Sequence, residues 1–377
     1  MDGKEMKKRN EGIDLLRIIS AFSIILLHIM GHGGVRDSLK PGDINYYVLW
    51  FVMLASFCGV NCFALISGYV GYSDIARPHR SSRFINLWVQ VVFYCFATVT
   101  VFGALKTADI GVRDFVEALF PVTFEKYWYF SAYLGVFVLM PLVDKCVREF
   151  SNVYLAGMVV VGTGTLSFLA TIMTRYSDPF SLKGGYGVMW MTYLYFIGAL
   201  IKKTKIEKTI TVSSLVFAFS ACLLFTWVWK VALISAIGHG IDDLLVIYIS
   251  PTIFLMSVCL LILFSKIEFS GFPAKLITLI APTTFGIYLF QDSNYFREYI
   301  VAGRYAPYAL KNPMIMVGLI LLTGLVQFFI GFLADKCRIL LFNLLGIKGL
   351  AERIGTFVDS EIAKTITRLE KIINVRA

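Results

Sequence analysis

Charge is scarce in this chain. Only 16% of its 377 residues are Asp, Glu, Lys or Arg, against about 25% in ordinary soluble domains. That excludes a conventional water-solvated surface all round. Histidine is rarer still, with four in total. His28 and His32 are four apart, but His79 and His239 fall in loops, so no metal site is expected. The seven cysteines lie mostly inside apolar runs. Cys58 and Cys62 are four apart, not the two-apart of a thiol redox or zinc pair, and all seven are expected to be small core or lipid-facing hydrophobes. No Gly-x-x-x-x-Gly-Lys-Ser/Thr stretch exists, which excludes an ATP-driven pump of the P-loop kind. No small-residue cleavage site follows the first apolar segment, so that segment is expected to stay on the protein. No long linker, low-complexity tract or repeat divides the chain.

What is abundant is apolar. Hydrophobic residues make up 58%, with 32 Phe and 19 Tyr, a composition of helices in lipid with aromatic anchors at the interfaces. A span needs about 20 mostly apolar residues. Ten candidates lie near 13–31, 46–71, 84–105, 128–147, 153–173, 185–201, 210–236, 246–265, 277–293 and 313–334, the sixth and ninth being short. The fold class is therefore all-α, a polytopic membrane bundle of about ten transmembrane helices over residues 1–340. An even number puts both termini on one side. Of the 35 Lys and Arg residues, 23 fall in segments on that side and 10 in the opposite loops. Basic residues accumulate in cytoplasmic loops, so both termini are expected in the cytoplasm of a cell with this protein in its plasma or inner membrane. The net charge of +10 has this topological reading rather than a nucleic-acid one. Residues 349–377 are too charged to span. Ile354, Val358, Ile362, Ile366, Leu369 and Ile373 recur every three or four residues and make an amphipathic helix, placed either on the inner leaflet or against the protein's own loops.

The first span carries two residues that apolar surroundings disfavour. "RIISAFSIILLH" runs from Arg17 to His28. Eleven residues at about 100° each come within about 20° of three full turns, so both lie on one stripe, about 16 Å apart along the axis. Asp14 stands three residues before Arg17, where it can pair with it. Ionisable groups in a span usually face the bundle interior or a cavity. Arg17 reads as an anion-binding group near the inner leaflet, or as a side chain that snorkels there beside Asp14. His28, the one histidine inside a span, reads as a proton-transfer group or as a helix contact.

"GIDLLRIISAFSIILLHIM" (12–30) resembles the opening helix of the membrane acyltransferase 3 family, in which a basic residue, ten residues and a histidine recur. "FALISGYV" (63–70) is similar to that family's Phe-Phe-x-x-Ser-Gly motif, with Ala64 in place of the second Phe. "RSSRFINLW" (80–88) is similar to its Arg-x-x-Arg at the start of the third helix. "YWYFSAYLGVFVLMPLVD" (127–144) resembles its fourth helix, which ends in Leu-x-Pro-Leu. The sequence departs near the end of "APTTFGIYLFQD" (281–292), where Gln291 stands in place of a histidine carried by many relatives.

The resemblance implies transfer of an acyl group, acetyl first of all, from cytoplasmic acetyl-CoA or another acyl-CoA to a hydroxyl of an extracytoplasmic polysaccharide or lipid-linked sugar. The catalytic set is then His28, Arg17 and Asp14. Arg80 and Arg83 offer guanidinium forks to the phosphates of coenzyme A, or serve topology alone. His28 either takes a proton from the acceptor or carries the acyl group covalently. Asn61 and Ser67 are candidates to line the site, Ser67 also as a small packing residue. Trp128 is an interface anchor or a stacking surface. No metal and no nucleic acid are expected; membrane lipids are. A transporter or flippase of lipid-linked sugars would fit ten spans and buried polar groups equally well.

Overall fold

The computed structural model describes residues 9–75, 81–237 and 241–376. Among these there are helices and turns but no strand. Helix α1 covers Glu11–Met30. Asn10 caps it: its side-chain oxygen accepts from Ile13 N at 3.0 Å, and its amide donates to the Ser265 carbonyl at 3.0 Å. One residue thus satisfies a free helix N–H and pins the start of α1 to a distant helix end. Then follow α2 (Ile44–Gly71), α3 (Ser81–Ala104), the short α4 (Val112–Leu119), α5 (Trp128–Glu149), α6 (Asn152–Met173), α7 (Val188–Thr204), α8 (Val212–Ile237), α9 (Pro251–Ser265), α10 (Gly271–Gln291), α11 (Pro313–Leu344) and α12 (Ile347–Arg376).

Eight of these are long and apolar enough to cross a membrane. The expected sixth and eighth spans, α7 and α9, fall short at 17 and 15 residues. At 1.5 Å per residue α9 is only about 22 Å long, under the roughly 30 Å of a hydrocarbon core. Its expected beginning at 246 is lost to a turn, because Ser250 caps the helix and Pro251 occupies its first position, where a missing N–H costs nothing. Both short helices are largely buried among the others. The ninth segment, expected to be short, instead runs the full 21 residues of α10. Its interior tightens to a 3₁₀ turn at Ala281–Thr283 around Pro282, which has no N–H to continue the α ladder. The last span runs ten residues past its expected end, to Leu344.

α1 and α11 run antiparallel. Phe22 meets Phe328 edge to face at 6.2 Å, while Leu26 meets Gly324. α2 and α7 pack backbone against backbone. A Cβ on Gly68 would lie 1.9 Å from the Tyr195 carbonyl oxygen, and one on Gly198 would lie 2.0 Å from that of Leu65. Small residues at both crossings let two backbones touch, as membrane helices require when lipid offers no hydrophobic drive. The Ser67–Gly68 motif therefore packs helices through its glycine. The tail helix α12 is anchored at its first half. Asp359 Oδ1 accepts from Ser81 N at 3.1 Å, and Gly355 abuts the Ser82 backbone, so the tail clasps the start of α3. Ile362, Ile366 and Leu369 on its apolar stripe stay exposed.

Charges inside the bundle are paired. Lys230 reaches Asp242 and Asp243, each at 2.5 Å, with the Trp50 ring 4.3 Å below its ammonium. Asp335, fully buried, takes Arg338 at 2.6 Å, the Tyr94 hydroxyl at 2.9 Å and the Gln90 amide at 3.3 Å. All seven cysteines are free thiols.

The Gly68 crossing makes a direct prediction. Gly68→Val cannot be accommodated without parting α2 from α7, and overpacking of this kind costs about 1–3 kcal/mol or more. The purified variant should unfold at markedly lower temperature. Gly318→Ala has nothing within 4 Å of the new methyl and should unfold at or above the wild-type midpoint, since alanine favours helix by roughly 0.5–1 kcal/mol.

Candidate active site

His28 sits in the last turn of α1, and the end of α10 supplies its partners. Gln291 is the last helical residue of α10, and Asp292 caps it by donating its N–H to the Tyr288 carbonyl at 2.9 Å. Gln291 Oε1 accepts from His28 Nδ1 at 2.7 Å. An amide oxygen only accepts, so Nδ1 carries the hydrogen and the lone pair is left on Nε2. Asp292 Oδ1 stands 3.8 Å from that Nε2. The carboxylate is buried and also faces Arg297 Nη1 at 3.3 Å, whose other terminal nitrogen donates to Asn294 at 2.9 Å. The residues are 263 positions apart in the chain. The departure at Gln291 is thus the direct partner of His28. Asp292 and Arg297 were not singled out from the sequence. A Gln-Asp pair at the end of an apolar segment was the available signal, because polar residues at that depth are rarely idle.

A cavity of about 240 Å³ opens beside His28. Its wall is largely aromatic: Trp128, Tyr129, Tyr186, Tyr248, Phe285 and Tyr288 line it together with Asp292 and Arg297. Trp128 packs against Tyr186 with ring centroids 4.4 Å apart, so the indole belongs to the cavity wall. Asn61 and Ser67 do not line it. Asn61 is fully buried and spends both ends of its amide, donating to the Tyr248 carbonyl at 2.8 Å and accepting from Trp190 Nε1 at 3.1 Å. It fixes one wall residue from behind. The Ser67 hydroxyl donates to the Phe63 carbonyl at 2.9 Å, within its own helix.

Arg17 lies lower on the same stripe. Its Nη1 donates to Asp14 Oδ1 at 3.0 Å, and Asp14 also holds Arg9. The rest of the Arg17 fork makes no hydrogen bond to a described residue. Tyr129 and Tyr133 lie within its electrostatic range and stack on each other at 6.4 Å. Because Tyr129 also lines the His28 cavity, α5 carries an aromatic ladder from Arg17 to His28. Arg83 is exposed, makes no ion pair with a described residue, and lies within electrostatic range of Tyr133. Arg80 falls outside the described residues. No cluster of three His, Cys, Asp or Glu suited to a metal occurs among the described residues.

His32 stands at the cavity edge, its ring 5.3 Å from that of His28. Although the side chain is exposed at the rim, partial desolvation there, and then the neighbouring His28 and Arg297, push its imidazole down to about 4. Unfolded histidine titrates near 6.5. The unfolded chain therefore takes up this proton first, and stability is lost as pH falls from about 6.5 towards 4. Thermal unfolding across that window should fall more steeply for wild type than for His32→Gln; parallel curves would show that His32 titrates normally.

Comparison with known proteins follows the same lines. A family model described as "Acyltransferase domain" matches residues 10–334. A serine/alanine racemase of Enterococcus gallinarum is 26% identical over 232 residues, which cover 56% of this chain and 32% of that protein. The chain thus spans about a third of that relative's length. No solved structure matches. The family match runs from the cap of α1 into α11 and takes in His28, Gln291 and every residue that lines the cavity beside His28, and the chain belongs to the acyltransferase 3 family of membrane acyltransferases.

Proposed function

We propose that this protein moves an acyl group, acetyl in the first instance, from cytoplasmic acyl-CoA to a hydroxyl of an extracytoplasmic polysaccharide or lipid-linked sugar. It would do so in the cell membrane with both termini, and the helical tail at 349–377, on the cytoplasmic side. The observation that carries this reading is the His28 arrangement. Gln291 holds Nδ1–H and leaves the Nε2 lone pair beside Asp292 at the cavity. Such a nitrogen removes the proton of an acceptor hydroxyl as its oxygen attacks the thioester carbon. Asp292 favours the imidazolium so formed. The carbon–sulfur bond then breaks, and the departing thiolate takes the proton, giving ester and free CoA.

The donor side draws on Arg17 and Arg83. Arg17 keeps part of its fork unspent, and Arg83 has no acidic partner among the described residues. Both suit the phosphates of coenzyme A. The uncharged pantetheine arm would follow the aromatic ladder of α5 along the roughly 16 Å of helix rise to His28. On the acceptor side, a second cavity of about 280 Å³ shares the 292–298 segment with the first. Asp114, Lys126, Asn294 and Glu298 line it, polar ground suited to a hydroxyl-rich sugar.

Two tests follow. His28→Gln keeps size and hydrogen bonding but cannot titrate, and loss of a general base typically costs about 10²–10⁴ in rate. Mass spectrometry of cell-surface glycans should show the ester mass shift vanish while the protein still folds and binds CoA. Normal esterification would return His28 to a structural contact. A transporter of lipid-linked sugars would consume no acetyl-CoA in either form. For the donor, Arg83→Ala should weaken acyl-CoA binding, and Arg83→Lys should restore it only partly, since lysine lacks the bidentate fork. Equal affinity in all three proteins would leave Arg83 with the topological role.

A further inference from the structure

Few side-chain nitrogen or oxygen atoms in the described protein are buried without a hydrogen-bond partner, and two of them lie on one turn of α10, one on a residue bonded to His28 and one on a residue lining the His28 cavity. They are the Tyr288 hydroxyl and Gln291 Nε2. Tyr288 is 6% exposed and Gln291 1% exposed. They lie three residues apart on α10, so both project from one side of that helix. Buried polar groups are ordinarily satisfied, and an exception calls for a specific reason. Gln291 spends its oxygen on His28, which leaves its amide hydrogens unused. Tyr288 lines the His28 cavity. Its hydroxyl lies near Asp292 without making a hydrogen bond of normal geometry. The ring cannot readily turn elsewhere. Tyr127 and Tyr129 each pack on it at 6.0 Å and Phe285 at 6.1 Å.

We infer that Tyr288 and Gln291 are the oxyanion donors of this site. The inference rests on the acyl-transfer reading and adds to it the groups that stabilise the reaction's charge. As the acceptor oxygen bonds to the thioester carbon, its proton passes to His28 Nε2, and the carbonyl electron pair moves onto oxygen. The Tyr288 O–H and the Gln291 N–H donate to that oxyanion. When the pair returns, the carbon–sulfur bond breaks and the thiolate takes the proton from His28, so charge and atoms balance. Donors fixed in advance by the packing around them need no reorganisation as the charge develops. Arg297 is a poorer candidate, since Asp292 and Asn294 already hold its terminal nitrogens. One polar pair on α10 then does two jobs, with Gln291 orienting the base through its oxygen and stabilising the product of attack through its nitrogen.

The test uses full-length protein in vesicles of the native membrane, which carry the acceptor, with acetyl-CoA as probe and free CoA as readout. Tyr288→Phe removes one oxygen and keeps the packing. Losing a single oxyanion donor costs about 10²–10³ in kcat, so kcat should fall by that order. KM for acetyl-CoA should stay within about twofold and the unfolding midpoint should not move, a split that a purely structural tyrosine would not give. If Tyr288→Phe does not fold, 3-fluorotyrosine and 3,5-difluorotyrosine at position 288 keep the shape and strengthen the donor, and kcat should change monotonically with phenol acidity. A kcat within twofold of wild type in the phenylalanine protein, or no change across the fluorinated series, overturns the inference. His28→Ala, run alongside, separates the two failures. Turnover retained without His28 defeats the acyl-transfer reading itself, whereas turnover lost without His28 but kept in Tyr288→Phe defeats only the oxyanion assignment.

Discussion

The hydrogen bond between His28 and Gln291 joins the first membrane helix to the end of the tenth labelled one. It sets which imidazole nitrogen bears hydrogen, and it holds the two helix ends that form one side of the cavity. An imidazole in a span is costly to leave unsatisfied. Met30 to Asn45 and Asp292 to Asn312 must therefore return to the same end of the bundle in fixed register. The loops do so by direct backbone bonds. Gly303 N donates to the His32 carbonyl at 3.0 Å, and Tyr305 N to that of Gly33 at 2.9 Å. Asn45 donates to the carbonyls of Ala309 and Lys311. The polar contact at depth and the stitched loops beyond it are one construction.

Buried charge is handled the same way elsewhere. Asp335, paired with Arg338 on its own helix, reaches across to Tyr94 and Gln90 of α3, and Lys230 with its two aspartates braces a loop against a helix. Breaking such a pair strands a charge, whereas an apolar replacement of both members is often tolerated. Their worth lies in register. A Leu-rich helix slides or rotates against its neighbours at little cost, and a carboxylate that must meet a tyrosine hydroxyl on a neighbouring helix does not.

Much of this was legible in the sequence, because the signals concerned are local. Apolar run lengths gave the membrane elements, and the three-turn spacing put Arg17 and His28 on one stripe. Where the reading missed, the missing information was long-range. Asn61 looked like a site residue because it is polar in an apolar span, yet its partners are a carbonyl 187 residues away and an indole 129 away. Nothing near position 61 announces them. Asp292 and Tyr288 went unnoticed because "YLFQD" reads as the ragged end of a span until α1 is packed against it. The lengths of α7 and α9 also depend on packing. A helix buried among others need not match the bilayer, and composition alone does not say which helices those are.

The aromatic wall of the His28 cavity also bears on chemical fidelity. Water is a smaller and far more abundant nucleophile than any sugar hydroxyl, and a thioester beside an activated imidazole is open to it. A cavity of about 240 Å³ walled by Trp128, Phe285 and four tyrosines turns mostly apolar faces towards anything bound beside His28. If the acceptor is a sugar, as proposed, the same wall would offer flat apolar faces to its ring. On the proposed reading, the partition between useful transfer and futile hydrolysis would rest on side chains that never touch the proton being moved.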